Sequence, residues 1–201
     1  DDWKVDLAYS CSQKGLSCPP GLGPFTMGPR AEAKLNARTG KVPNWYLDVS
    51  LLNQYWGSNR VYHHTAPVNM NFGMREALRL LAEEGIENAW ARHRSNSERL
   101  WAGLEALGLE LHVPLERRLP TLTTVRIPEG VDGKAFSQHL LNKHGIEVGG
   151  GLGALAGQVW RVGLMGHNSR SENVDLLLNL LEQELPAFRN QASAVPVGAA
   201  V

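Results

Sequence analysis

Apolar residues recur at helical spacing over four stretches of the chain. Alternating steps of three and four predict one long helix from residue 86, closed by Gly108. The same spacing predicts helices over residues 45–56, 68–84 and 169–185. A helix over residues 132–144 is predicted from Asp132 as its cap and Gly145 as its end. Pro29 favours the first turn of a further short helix over residues 29–35, because its fixed φ suits that position.

Short apolar runs between turn-forming residues predict strands. These runs cover residues 5–9, 21–27, 109–113, 121–127, 146–148 and 158–164. After residue 108 the order is strand, strand, helix, strand, strand, helix, which is typical of an α+β layer. The pattern therefore predicts part of one domain over residues 1–85, an α+β domain over 86–189, and a loose tail over 190–201.

Composition excludes several classes of function. The chain has 201 residues, 43% of them hydrophobic, which is enough for a substantial core. Twenty basic and twenty acidic side chains cancel, with no long run of one sign, so nucleic-acid and anionic-membrane binding lack their usual electrostatic footprint. No apolar run has the length of a membrane span. Two cysteines make no disulfide framework, which favours an intracellular, reducing compartment such as the cytoplasm.

The two ends of the sequence lead to two further expectations. The chain begins Asp1-Asp2-Trp3, without methionine, and enters a predicted strand almost at once. We therefore expect a longer protein, of which this is the C-terminal part. The last residues, Gly198 to Val201, are no Ser-Lys-Leu peroxisomal address, although a peroxisomal or mitochondrial location stays open.

Lys14 is the strongest candidate for chemistry. It follows the predicted strand over residues 5–9 within the small polar run Ser10-Cys11-Ser12-Gln13-Lys14-Gly15. A lysine at the mouth of a strand is well placed to form a Schiff base with an aldehyde cofactor. The alternative is an ordinary exposed surface lysine.

The motif Ser12-Gln13-Lys14-Gly15 after an apolar strand resembles the pyridoxal-phosphate lysine of the class V aminotransferases. The likeness is greatest to the branch of alanine–glyoxylate and serine–glyoxylate aminotransferases, and it covers nearly all of this chain but only the C-terminal half of a family member. It implies an α/β, fold-type I transferase, with part of the large domain followed by the small α+β domain. It also implies pyridoxal 5'-phosphate as cofactor, amino-acid and 2-oxo-acid substrates, and a homodimer with shared active sites.

The resemblance assigns roles to six residues. Lys14 would hold the cofactor, and Gln13 beside it indicates transamination, since desulfurases place a histidine there. Tyr62 and Thr65, in the family-like run Tyr-His-His-Thr-x-Pro, would reach the cofactor phosphate of the neighbouring subunit. Arg161 would bind the substrate carboxylate, and the glycine loop that contains Gly151 would flank the substrate pocket.

Some of these residues have other interpretations. Arg161 lies in an apolar strand, where an internal salt bridge with Glu147 or Asp175 would equally explain it. His63 and His64 invite a metal site with Cys11 and Cys18, but those cysteines lack the close spacing of most zinc sites. The run from Gly149 to Ala154 fits a dinucleotide pattern only formally, because a strand and not a helix is predicted after it.

Three functions follow from these residues and the resemblance. The first is transfer of an amino group from alanine or serine to glyoxylate, which gives glycine and a 2-oxo acid. The second is another class V reaction, such as desulfuration or lysis, and the third is a truncated, non-catalytic fragment or paralogue. Because the lysine loop begins within the first fourteen residues, we expect the isolated 201-residue chain to be inactive.

Overall fold

The chain divides into two compact units in a computed structural model that describes residues 2–58 and 60–189. The first unit ends at Leu78 and the second begins at Arg79. This boundary lies inside a helix, whereas the sequence predicts a change of domain after residue 85. The predicted tail over residues 190–201 lies outside the described residues.

The first unit consists of a two-stranded ribbon and helices. Strands β1 (Leu7–Tyr9) and β2 (Phe25–Met27) pair antiparallel, with Ala8 opposite Thr26. Helices α1 (Pro29–Asn36) and α2 (Val49–Trp56) follow, and α3 (Val68–Glu84) begins after an extended segment that includes Pro67. The described hydrophobic side chains buried in this unit are those of Cys18, Leu52 and Met74.

The second unit is an α+β layer. Helix α4 (Ile86–Ala106) leads to β3 (Leu122–Arg126), α5 (Gly133–His144), β4 (Gly149–Gly150), β5 (Val159–Gly163) and α6 (Ser171–Arg189). The three strands form one antiparallel sheet in the order β3-β5-β4, with β5 in the centre. Single 3-10 turns cover Leu115–Arg117, Gly153–Leu155 and Gly166–Asn168.

One hydrophobic core holds the second unit together. Helices α4, α5 and α6 pack on one face of the sheet, and Phe136, Leu100, Leu104 and Leu140 are fully buried among them. Two tryptophans lock the sheet to helices through their indole N–H groups, Trp101 donating to Thr123 and Trp160 to the Gly133 carbonyl. Replacing one of these core leucines by alanine costs about 2–5 kcal/mol of unfolding free energy. The packing of this core therefore fixes the position of β5.

Two predicted strands are wrong. Residues 109–113 form only an isolated bridge, from Leu111 to Val125, because Pro114 follows and has no N–H to continue a ladder. Residues 146–148 form no strand, and the strand begins at Gly149 instead. Gly145 ends α5 in the left-handed region (φ 68°), and the Ile146 N–H is used to cap the helix at the Leu140 carbonyl.

Helix ends also differ from the prediction. Helix α2 begins at Val49 rather than at residue 45, because the Asp48 carboxylate caps it by accepting from the Ser50 N–H at 2.9 Å. Helix α6 continues past residue 185 to Arg189 with Pro186 inside it.

Among the described residues, no helix combines the length and apolar character that crossing a bilayer requires.

Candidate functional site

Lys14 lies in a turn that follows β1 in the first unit. Its side chain and that of Gln13 are exposed, so both project their polar ends outward. The Lys14 carbonyl accepts from the Ser17 N–H at 2.9 Å, which closes the turn on itself. Ser17 has a positive φ of 58°, a backbone conformation that few residues other than glycine adopt. The turn is therefore a specific conformation rather than an open loop.

Ser12 stabilises this turn through buried hydrogen bonds, a role that the sequence did not indicate. Its side chain is fully buried, and its Oγ donates to the Pro19 carbonyl at 2.7 Å and accepts from the Leu22 N–H at 3.3 Å. Its backbone N–H donates to the Leu22 carbonyl and its carbonyl accepts from the Cys18 N–H. These four bonds join both ends of the segment that presents Lys14.

Helix α3 packs against the returning arm of the same segment. A Cβ on Gly73 would lie 3.5 Å from the Cys18 Sγ, and a Cβ on Gly21 would lie 3.3 Å from the Met70 Cε. Gly21 also has a φ of 141°, which side-chain-bearing residues rarely adopt. The segment is thus fixed both by its own hydrogen bonds and by a helix.

Tyr62 and Thr65 form a pair of hydroxyl groups between α2 and α3. The Tyr62 Oη and the Thr65 Oγ1 are 2.9 Å apart and hydrogen bonded, and the Tyr62 side chain is 72% exposed. The Tyr62 ring meets Tyr55 edge-on, which orients it. Two adjacent hydroxyls on an exposed, ordered segment can donate to one anion.

The paired histidines beside them serve packing. His63 is buried, stacks on Trp45 with ring centres 4.1 Å apart, and lies within 3.2 Å of the Trp45 carbonyl through Nε2. Its Nδ1 pairs with the His64 Nδ1 at 2.9 Å. Within residues 2–58 and 60–189, the one group of three metal-capable side chains lies on α5 and α6, and contains neither these histidines nor Cys11 or Cys18.

Arg161 lies on β5, the central strand of the second unit. It stands opposite Thr124 on one side and Gly149 on the other, and its Nε donates to the Gly150 carbonyl at 2.6 Å. Across the described residues, neither Glu147 nor Asp175 pairs with it, and Asp175 binds Arg99 at 2.6 Å instead. The internal salt bridge, which was the alternative interpretation of Arg161, is therefore absent from the residues that the structure describes.

A cavity of about 510 Å³ adjoins Arg161. The lining includes residues of β5 and its continuation, of the segment after α5, and of α6: Glu147, Gly149, Gly163, Asn168, Asn173 and Leu176. A Cβ on Gly149 would lie 3.4 Å from an Arg161 guanidinium nitrogen. The absence of a side chain at residue 149 thus leaves room beside the guanidinium.

Gly151 is required because a side chain at this position has no space. A Cβ there would overlap the Leu155 carbonyl and lie 2.9 Å from the Val159 Cγ2. Gly151 donates its N–H to the Val159 carbonyl at 3.0 Å, so it continues the pairing that holds Gly150 against Arg161. The run from Gly149 to Ala154 leads into a single 3-10 turn rather than a helix, which excludes the dinucleotide-binding arrangement.

An ion pair lies beside the segment that contains Asn168, one of the residues that line this cavity. Arg92 binds Glu84 through Nε and Nη2, at 2.5 and 2.9 Å, and donates through Nη1 to the carbonyls of Gly166 and Ser169. The hydrogen bonds with Arg92 lower the pKa of the Glu84 carboxyl, and the same bonds raise the pKa of Arg92. The sequence did not indicate this network, because the two carbonyls that Arg92 contacts lie 74 and 77 residues away along the chain.

The predicted site residues thus fall into two groups. Lys14, Gln13, Tyr62 and Thr65 belong to the first unit, and Arg161 and Gly151 to the second. The first group offers an amine, an amide and two hydroxyls; the second offers a guanidinium beside a glycine-lined cavity. Chemically, the first suits an aldehyde and a phosphate, and the second suits a carboxylate.

Comparison with known proteins finds one family. The model of the family described as aminotransferase class-V matches residues 1–177. An alanine–glyoxylate aminotransferase of Drosophila melanogaster is 41% identical over 193 residues, which are 94% of this chain and 49% of that protein. The chain spans about half the length of the curated relatives it matches.

Two solved structures are also similar. The alanine–glyoxylate aminotransferase of Nostoc sp. is 66% identical, with a TM-score of 0.89, over 92% of this chain and 49% of that one. The ureidoglycine–glyoxylate aminotransferase of Bacillus subtilis is 38% identical, with a TM-score of 0.91, over 98% of this chain and 50% of that one.

Proposed function

Because the chain belongs to the class V aminotransferases, with their fold-type I architecture, we propose that the native protein transfers an amino group from alanine or serine to glyoxylate. The products are glycine and the 2-oxo acid of the donor. The observation that carries this proposal is the hydrogen-bonded turn that presents Lys14 and Gln13. The names of the relatives, which act on glyoxylate, support the choice of acceptor.

The residues of the first unit fit pyridoxal 5'-phosphate, the cofactor of this family. Lys14 is exposed, so its amine is accessible to an aldehyde, and the Tyr62–Thr65 pair offers two hydroxyls suited to phosphate oxygens. When bound, the cofactor supplies an aldehyde that carries the amino group and a ring that accepts electrons from the substrate Cα.

We assign a separate role to each of three residues of the chain. The Lys14 amine would hold the cofactor and then move the proton at the substrate Cα, because it is the one base on the presented turn. Gln13 would orient the cofactor by hydrogen bonding. Arg161 would bind the substrate carboxylate in a bidentate manner, since within the described residues no carboxylate already occupies it.

A Lys14→Arg variant tests the proposal. The native protein supplied with pyridoxal 5'-phosphate, alanine and glyoxylate should form pyruvate and glycine. Loss of a positioned base costs roughly 10²–10⁴ in rate, so the variant should fall by at least that factor, while Lys34→Arg on α1 should not. Borohydride reduction should fix the cofactor on the peptide that contains Lys14. Fixation on another lysine, or full turnover by Lys14→Arg, contradicts the assignment.

The homodimer is part of the same proposal. Among the described residues of the first unit, large hydrophobic side chains such as Trp45, Tyr46, Trp56 and Phe72 are more than half exposed, which favours a covering partner. Tyr62 and Thr65 would bind the cofactor phosphate held by the second subunit. Each active site would then use Lys14 of one subunit and the hydroxyl pair of the other.

Mixed dimers test this sharing. One subunit carries Lys14→Ala, and the other carries Tyr62→Phe with Thr65→Val. Sharing places both lesions in one site and leaves the other site intact, so about half of the native activity should remain. A mixed dimer no more active than the two parent variants indicates unshared sites.

Another class V reaction, desulfuration or lysis, is the second candidate. Gln13 opposes it, since the family resemblance places a histidine before the lysine in desulfurases. Release of sulfide from cysteine faster than transamination of alanine would favour it.

The compartment is a proposal too. Both cysteines of the chain are free thiols, which fits an intracellular, reducing compartment, and we propose the cytoplasm.

A further inference from the structure

Three potential metal ligands, none of which has a role in the proposed function, converge in the second unit. His139 and His144 lie on α5, and Glu184 lies on α6. The His139 Nε2 is 2.9 Å from the Glu184 Oε2, and the His144 Nε2 is 3.1 Å from the Glu184 Oε1. One ligand atom from each residue lies within 4.8 Å of the others.

We propose that His139, His144 and Glu184 form a binding site for a divalent transition-metal ion of the zinc type. Two imidazole nitrogens and one carboxylate oxygen are the donor set with which proteins hold zinc when a fourth position stays open to water. The ion would join α5 to α6 and so stabilise the second unit. This site is independent of the proposed transamination.

The distances are close to those of a coordination sphere. In a tetrahedral zinc site, with metal–ligand bonds of about 2.0–2.2 Å, neighbouring ligand atoms lie about 3.4 Å apart. The two nitrogens are already directed at the carboxylate at 2.9 and 3.1 Å. These two contacts involve different oxygens of Glu184, and one ligand atom from each residue lies within 4.8 Å of the others, so closing the sphere needs side-chain shifts of up to about 1.4 Å. Each imidazole would then carry its proton on Nδ1.

The backbone spacing of the three ligands is set by the core. Phe136 and Leu140 on α5 are fully buried, and Leu181 and Leu185 on α6 flank Glu184 and are buried too. The His139 ring also packs against Phe188, with ring centres 5.0 Å apart. Because packing already fixes both helices, binding an ion would order little further structure.

The three donors are only partly exposed. The side chains of His139, His144 and Glu184 are 27%, 22% and 16% exposed, so water competes only partly for the donors.

Lys143 is the competitor that an ion must displace. Its Nζ lies 2.8 Å from the Glu184 Oε1, and its side chain is 54% exposed. A flexible, half-exposed lysine can swing into solvent when a divalent ion takes its place. We therefore expect that removing the Lys143 ammonium tightens metal binding.

Zinc titration of the native protein without a histidine tag, against a chromophoric chelator near pH 7.5, tests the proposal. We expect one ion per chain. Loss of an outer-shell partner already weakens metal sites about 10–100-fold, so loss of a ligand in Glu184→Gln or His139→Gln should weaken binding about 100-fold or more. Glu182→Gln, an exposed neighbour on α6, is the matched control and should bind as the native protein does. Lys143→Gln should bind more tightly.

Two further measurements distinguish a metal-binding site from a cluster of side chains that only hydrogen bond to one another. Zinc should raise the melting temperature of the native protein and of Glu182→Gln but not of Glu184→Gln, as mass action requires. Cobalt bound to the native protein should give the absorption spectrum of a site with a low coordination number. The ligand variants should not show this spectrum. Absence of zinc binding by the native protein overturns the proposal, as does binding that Glu184→Gln and His139→Gln leave unchanged.

Discussion

The Ser12 Oγ donates a 2.7 Å hydrogen bond to the Pro19 carbonyl and closes the segment that presents Lys14. The hydroxyl has no exposed surface, and it also accepts from the Leu22 N–H. One buried serine thus determines the position of a lysine two residues away. The relationship makes Ser12 a positioning residue for the proposed chemistry.

Replacing Ser12 should loosen this turn. Ser12→Ala leaves the Pro19 carbonyl and the Leu22 N–H without a partner, which costs about 1–3 kcal/mol of unfolding free energy. Urea unfolding measures the loss. We also expect weaker retention of pyridoxal 5'-phosphate with little change in the KM for alanine. Ser95→Ala, on the exposed side of α4, should stay within about 0.5 kcal/mol. Equal effects of the two substitutions would remove Ser12 from this role.

Replacing Arg161 should weaken substrate binding and spare the cofactor. Arg161→Ala removes the guanidinium beside the glycine-lined cavity, and losing one partner of a desolvated charge pair costs about 2–5 kcal/mol. We expect a large rise in the KM for the amino acid, while pyridoxal 5'-phosphate still binds. Arg161→Lys should recover only part, because an ammonium lacks the bidentate geometry. Arg126→Ala, on the neighbouring strand β3, is the control. An unchanged KM in Arg161→Ala would refute the assignment.

Gly151 and Gly150 provide a matched pair of substitutions. A Cβ on Gly151 overlaps the backbone of Leu155, whereas a Cβ on Gly150 meets nothing within 4 Å. Overpacking of this kind costs about 1–3 kcal/mol, so Gly151→Ala should lower the unfolding free energy by that amount and Gly150→Ala by much less. Because the loop would shift the carbonyl that binds Arg161, Gly151→Ala should also raise the KM for the amino acid. Similar stability of the two variants would contradict the close approach.

The Glu84–Arg92 pair should make stability depend on pH on the acid side. Hydrogen bonding to Arg92 lowers the folded-state pKa of Glu84, so this stabilisation is complete above the unfolded value of about 4.3. It is lost as the pH falls through the lower, folded value. The difference in unfolding free energy between the native protein and Glu84→Gln should therefore shrink as the pH is lowered from about 6 towards 3. Glu129→Gln, exposed on a turn, provides the baseline. A difference that does not vary with pH would exclude Glu84 as its source.

Local patterns predicted most of the helices. The period of apolar residues over 68–84 and 86–107 corresponds to α3 and α4, and Gly145 after α5 behaves as a helix-ending glycine should. The fold and family predictions are confirmed by the class V match over residues 1–177. The strand predictions over 109–113 and 146–148 failed, because the pairing of 109–113 stops before Pro114, which has no amide hydrogen, and because the Ile146 N–H caps α5.

By itself the sequence determined what neighbours along the chain control: helical faces, turn positions, the absence of net charge, and the motif around Lys14. Only the tertiary structure decided which polar groups meet. Arg92 meets carbonyls 74 and 77 residues away, and Glu184 meets His139 across 45 residues. The physical reason is that hydrophobic periodicity fixes which face of an element is buried, whereas a hydrogen bond needs two atoms within about 3 Å. That condition is met only once the packed elements have fixed their positions.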